Sequence, residues 1–216
     1  NWDWVRTGGG PGSDDAADVG YVPGGDLRIV GGFQSGGGTG SAQFGTQTLN
    51  AVGSYDTFVS NMTSSGGWSW TVSAGSSNGI VQPFSLDYIG GDAYVGGIFQ
   101  GSALFGSHQM TSTANSVNGF IAKIDSSGTW QWTSNTSGTG AQYLTKISVS
   151  PSGSIGVTGG LVGTTQNHNS ATFGSISLSG EYYEAFVAVA DSQGSWLWAK
   201  SAGSGMDDNY INWGFG

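Results

Sequence analysis

Few side chains in this chain could do chemistry. Cysteine is absent, the only histidines are His108 and His168, and the only glutamates are Glu181 and Glu184. A thiolate nucleophile and a cysteine zinc site are therefore excluded. A metal site on the two histidines would need two further ligands, and none stands near them in sequence, so both are read as loop or surface residues. No Gly-x-Ser-x-Gly elbow leads into a helix. The runs Gly8–Gly10 and Gly36–Gly38 lack the Lys-Ser/Thr of a phosphate loop. A carboxylate pair for glycoside hydrolysis is defined by separation in space, which no spacing here encodes. The expectation is a protein that is not an enzyme, with no catalytic or cofactor-binding residue.

Two acidic groups stand out: Asp14 and Asp15 with Asp18, and Asp207 with Asp208. Calcium takes several oxygen ligands, and these five are the weak candidates for it. Solvated turns in which Asp caps backbone N–H groups are the competing reading, and the one adopted. Among aromatics, Tyr182 and Tyr183 are the candidates for stacking on sugar rings. Asn61-Met62-Thr63 and Asn135-Thr136-Ser137 fit the N-glycosylation pattern, a weak signal in a chain this rich in Asn, Ser and Thr. Fourteen acids against five bases, with no basic cluster, exclude a nucleic-acid surface. No stretch is long and apolar enough for a membrane-spanning helix, so no membrane insertion is expected.

These residues sit on a repeating frame. Trp-x-Trp recurs at Trp2/Trp4, Trp68/Trp70, Trp130/Trp132 and Trp196/Trp198. Between the copies come Gly31-Gly32-Phe33, Gly96-Gly97-Ile98 and Gly159-Gly160-Leu161. Then follow Phe44-Gly45, Phe105-Gly106 and Phe173-Gly174, and finally Phe58-Val59, Phe120-Ile121 and Phe186-Val187. Four markers in one order, three times over, define a repeat of roughly 60 residues. Alternating apolar residues between Gly, Asp and Ser turns predict four short strands per copy, the last carrying Trp-x-Trp with both indoles on one face. The fold class is all-β, as tandem four-stranded antiparallel blades of a β-propeller type: three full repeats and part of a fourth. Residues 1–6 read as the last strand of a preceding blade, 7–70, 71–132 and 133–198 as the repeats, and 199–216 as the start of a fourth.

The stretches Gly96–Gly106 (GGIFQGSALFG) and Phe120–Trp132 (FIAKIDSSGTWQW) resemble the SBBP-type β-propeller repeats of bacterial and archaeal surface proteins. The resemblance covers nearly the whole chain, is best in the second copy, and weakens in the third at Leu161–Ser170. It implies a propeller fold and an extracellular or cell-surface setting, a virion included, and carries over no catalytic residue. Propellers use about four to eight blades, so three blades with a leading strand leave aromatic faces and sheet edges to be covered. Trp2, Trp4, Trp196, Trp198, Tyr210 and Trp213 are the assembly or edge candidates. The expected partners are other copies of the chain or further blades of a longer one, with glycans as the alternative. The leading expectation is a non-enzymatic extracellular structural or adhesive protein, a segment or subunit of a filament, surface layer or virion. The alternatives are a carbohydrate-binding propeller and a non-catalytic segment of a secreted enzyme.

Overall fold

A computed structural model describes residues 3–34, 40–113, 116–163, 169–180 and 183–203. Among the described residues there are strands in antiparallel ladders and no α-helix. A short β1 (Gly8–Gly9) precedes three repeated units. The first holds β2 (Asp15–Tyr21), β3 (Leu27–Phe33), the hairpin β4 (Ser41–Phe44) and β5 (Gln47–Asn50), then β6 (Asp56–Met62) and β7 (Trp68–Ser76). The second holds β8 (Ile80–Ile89), β9 (Asp92–Gln100), the hairpin β10 (Ser102–Phe105) and β11 (His108–Thr111), then β12 (Asn118–Ile124) and β13 (Trp130–Ser137). The third holds β14 (Ala141–Val149), β15 (Ile155–Val162), the hairpin β16 (Asn169–Phe173) and β17 (Ile176–Gly180), then β18 (Tyr183–Ala190) and β19 (Trp196–Ala202). The sequence boundaries at Trp70, Trp132 and Trp198 thus fall inside the strands that carry these residues.

Each unit is a four-stranded meander, but the Phe-Gly marker belongs to an extra hairpin that four strands per copy did not anticipate. This hairpin leaves its own meander and pairs with the last strand of the unit before it. Phe105 stands opposite Ala74 in β7, Phe173 opposite Thr136 in β13, and Phe44 opposite Gly8 in β1. In every case the partner lies four residues beyond the second Trp of a pair. The result is two six-stranded sheets, β11-β10-β7-β6-β3-β2 and β17-β16-β13-β12-β9-β8. They are flanked by the sheets β1-β4-β5 and β14-β15-β18-β19.

Three of the four markers converge in one cluster per unit. The hairpin Phe packs on the third-strand Phe and edge-on to the first Trp: Phe105 lies 5.0 Å from Phe120 and 5.0 Å from Trp130. Phe173 with Phe186 and Trp196, and Phe44 with Phe58 and Trp68, repeat the arrangement. Such pairs prefer tilted or T-shaped geometry because the ring edge is positive and the face negative.

The second Trp goes elsewhere, which corrects the expectation of a shared face. Trp130 stands opposite Ile124 and Trp132 opposite Lys123, neighbours whose side chains alternate. A β-bulge at Gln131 makes up the difference, and the same shift recurs in the other two units. Trp70 thereby leaves its own unit and donates its indole N–H to the Ser126 carbonyl at 3.0 Å. Its ring lies so close to Gly128 that a Cβ there would sit 2.9 Å from it. Trp132 lies on Gly194, and Trp4 lies on Gly66 while donating to the Ser64 carbonyl at 3.1 Å. The turns Thr63–Gly66, Asp125–Gly128 and Asp191–Gly194 are thus the seats for the preceding Trp, and the closing Gly of each is required by that close approach.

The Gly-Gly marker also needs a shift of register. Phe58, Phe120 and Phe186 stand opposite Gly31, Gly97 and Gly159, so in the second copy the equivalent of Gly31 is Gly97, not Gly96. The residues two further on, Phe33, Phe99 and Leu161, are all fully buried.

Candidate functional site

The first strands β2, β8 and β14 carry a bulge at one equivalent place, where Ala17, Phe84 and Thr145 are the extra residues. Opposite each bulge stands the glycine just aligned, because the bulge drives a carbonyl onto it. A Cβ at Gly31, Gly97 or Gly159 would lie 1.9–2.1 Å from the carbonyl oxygen of Asp15, Gln82 or Tyr143.

Those bulges meet. A cleft of about 540 Å³ is lined by Asp15, Gln82 and Tyr143, the three carbonyl-bearing equivalents, and by Ala17, Phe84 and Thr145, the three bulge residues. Pro83 completes the wall. One equivalent position from each unit therefore faces a common space. Just beyond it, the next equivalents Asp18, Ser85 and Lys146 are linked through the Asp18 carboxylate. The Asp18 carboxylate accepts from the Leu86 N–H at 2.9 Å, lies 3.4 Å from the Ser85 hydroxyl, and pairs with the Lys146 ammonium at 3.4 Å. The Ser85 hydroxyl in turn accepts from the Ile147 N–H at 3.3 Å. The first strands of the first and second units are thus each hydrogen-bonded by side chain to the main chain of the next unit.

The acidic candidates are occupied separately. Asp14 accepts from the Gly10 N–H at 2.7 Å, Asp15 accepts from the Tyr55 hydroxyl, and Asp18 serves the contacts above. Among the described residues no group of three or more His, Cys, Asp or Glu is gathered as for a metal ion. The His108 imidazole lies 3.2 Å from the Trp130 carbonyl inside its hairpin. Burial, and next the bond to Asp15, push the Tyr55 phenol above the ordinary tyrosine range. Arg28, buried with its guanidinium 4.4 Å over the Trp70 ring, has its pKa lowered by burial, opposed by Asp125, Asp26 and Asp92.

The edge candidates separate into different roles. Trp196 is drawn inward onto Phe173, whereas Trp198 is 44% exposed. Tyr183 lies exposed at the start of β18, outside the cleft. His168, Tyr182, Asp207, Asp208, Tyr210, Trp213 and Trp2 lie outside the described residues.

Two apolar faces distinguish the outer units from the middle one. Val187 is 46% exposed, while its equivalents Val59 and Ile121 are fully buried. Val19 is 57% exposed, while its equivalents Leu86 and Ile147 are at 7% and 2%. At the two internal junctions these positions meet in shared clusters, Val59 with Leu86 and Ile121 with Ile147. Sequence reasoning missed the cleft, since its residues are equivalent only once the bulges are counted. Compared with protein-family models and with curated proteins, the chain matches none.

Proposed function

We propose that this chain is a non-enzymatic structural or adhesive protein acting outside the cell. Its units serve as propeller-type blades, and it works as a segment or subunit of a larger filament, surface layer or virion. The observation that carries this reading is the pair Val187 and Val19. Each stands exposed at a position that the chain buries wherever another unit follows or precedes. Burying about 100 Å² of apolar surface is worth ~2.5 kcal/mol, and such faces mark association sites on soluble proteins. The extracellular setting rests on the likeness to SBBP-type repeats and on a chain poor in Lys and Glu. Electron microscopy and light scattering of the purified protein under gentle conditions test the reading: it expects large regular particles, and a monodisperse monomer would count against it.

A second reading, carbohydrate binding, is favoured by the cleft between the three first strands. Phe84 and Tyr143 offer ring faces to a sugar, and Asp15, Gln82 and Thr145 offer polar atoms. Retention on a glycan array that free sugar reverses, and that Phe84→Ala abolishes while Tyr183→Ala does not, would establish it. No retention would remove it.

A further inference from the structure

Two sheets of this chain are incomplete in complementary ways. In both six-stranded sheets the last strand of a unit is flanked by its own third strand on one side and the next unit's hairpin on the other. The β1-β4-β5 sheet has the hairpin and a last strand, yet no third strand pairs with β1 among the described residues. The β14-β15-β18-β19 sheet has the third strand, yet no hairpin pairs with β19 among the described residues.

Residues 3–10 and β19 are moreover the same element in sequence: Trp4 corresponds to Trp198, Arg6 to Lys200, and Gly8 to Ala202. Residues 3–10 occupy on the first unit the seat that β7 and β13 occupy on the units after them. Trp4 rests on Gly66, Arg6 donates to the Gly66 carbonyl at 2.9 Å, and Gly8 stands opposite Phe44. Only Gly8 and Gly9 are paired in that strand.

From this we infer a strand exchange, resting on the assembly reading above: β19 of one copy displaces residues 3–10 from a second copy and pairs with its β4. The joined sheet then runs β5-β4 of one copy into β19-β18-β15-β14 of the other, the order found in both internal sheets. The pairing exchanged is of similar length, two residues at β1–β4 against two or three at the internal junctions, so the driving force is the apolar surface that the incoming unit buries. It also brings Val187 onto Val19, the contact that Val59–Leu86 and Ile121–Ile147 model internally. Residues 3–10 act as a strap that protects the hairpin edge before assembly, as exposed edges otherwise invite unwanted pairing.

A chain without native cysteine makes the test direct. Gln43 stands opposite Gly9, five residues after Trp4, so β19 in the same seat places Gly203 opposite Gln43. A Gln43→Cys, Gly203→Cys chain, oxidised during assembly, should give a ladder of multimers on a denaturing gel that neither single variant gives. Deleting residues 1–10 should lower the assembly threshold about tenfold, the factor for ~1.4 kcal/mol of competing contacts. Trp4→Ser, which keeps the chain length, should act in the same direction. Particles without the cross-link ladder, or with a threshold unchanged by both strap variants, would overturn the exchange while leaving the assembly reading intact. A disulfide confined to single chains would overturn it in favour of a chain that closes on itself. Absence of particles in every form would remove both.

Discussion

The indole of Trp70 leaves its own unit and donates to the Ser126 carbonyl of the next at 3.0 Å, with its ring against Gly128. Trp198 holds the same place in the third unit and is 44% exposed. Identical residues at identical positions thus have opposite surroundings, and stability should report it. Trp70→Ala should cost about 2–3 kcal/mol in urea unfolding, below the range of a fully buried aromatic because Trp70 is partly buried. Trp198→Ala in the unassembled chain should cost under about 1 kcal/mol, as for a surface change. Equal costs would mean that Trp198 is covered.

The bulge-facing glycines give a second contrast. Gly97→Ala places a methyl 2.1 Å from the Gln82 carbonyl oxygen and should cost more than about 2 kcal/mol, as an overpacked site does. Gly156→Ala on β15 meets only the Ser148 carbonyl at 3.7 Å, ordinary contact, and should be neutral or stabilising by about 0.4–1 kcal/mol. Denaturation midpoints of the two variants decide the point.

Tyr55 predicts a pH dependence. Its folded pKa lies above the ordinary value of about 10, with burial the larger cause and Asp15 the next. Above about pH 10 the unfolded chain has lost a proton that the folded chain keeps. Stability therefore holds full value below that pH and falls as pH rises toward the folded pKa. Tyr55→Phe removes this contribution, so its unfolding free energy should show a shallower alkaline decline than that of the parent chain. Parallel declines would contradict the assignment.

His108 should prove structural. Its imidazole meets only the Trp130 carbonyl among the contacts found. His108→Ala with His168→Ala should leave assembly and any glycan retention unchanged, and chelation should leave Tm unchanged. A calcium-dependent rise in Tm would redirect attention to the Asp14 and Asp207 loops.

Much of the frame was legible from spacing alone. The Gly31-Gly32-Phe33 marker falls within β3 and the Phe120-Ile121 marker within β12, inside strands as the alternation predicts. Aromatic markers set at fixed intervals against Gly and Asp turns carry that signal. Three features were not legible because each depends on pairing between distant segments. The hairpin at Phe105 looks like any short alternating run until its partner Ala74 is known. The bulge at Gln131, which sends Trp130 and Trp132 apart, leaves no mark on the i, i+2 pattern. The cleft gathers Asp15, Gln82 and Tyr143, three chemically unrelated residues that only register makes equivalent.

The central claim is that the exposed faces of the outer units are assembly surfaces. Sedimentation velocity of the intact chain beside Val187→Asp tests it most directly, because a carboxylate at the junction must be desolvated while the exposed position leaves the single chain undisturbed. The account predicts large species for the intact chain, and for Val187→Asp a monomer with unchanged tryptophan fluorescence and unfolding midpoint. An intact chain that sediments as a monomer throughout, or a variant that assembles as readily as the parent, would contradict it.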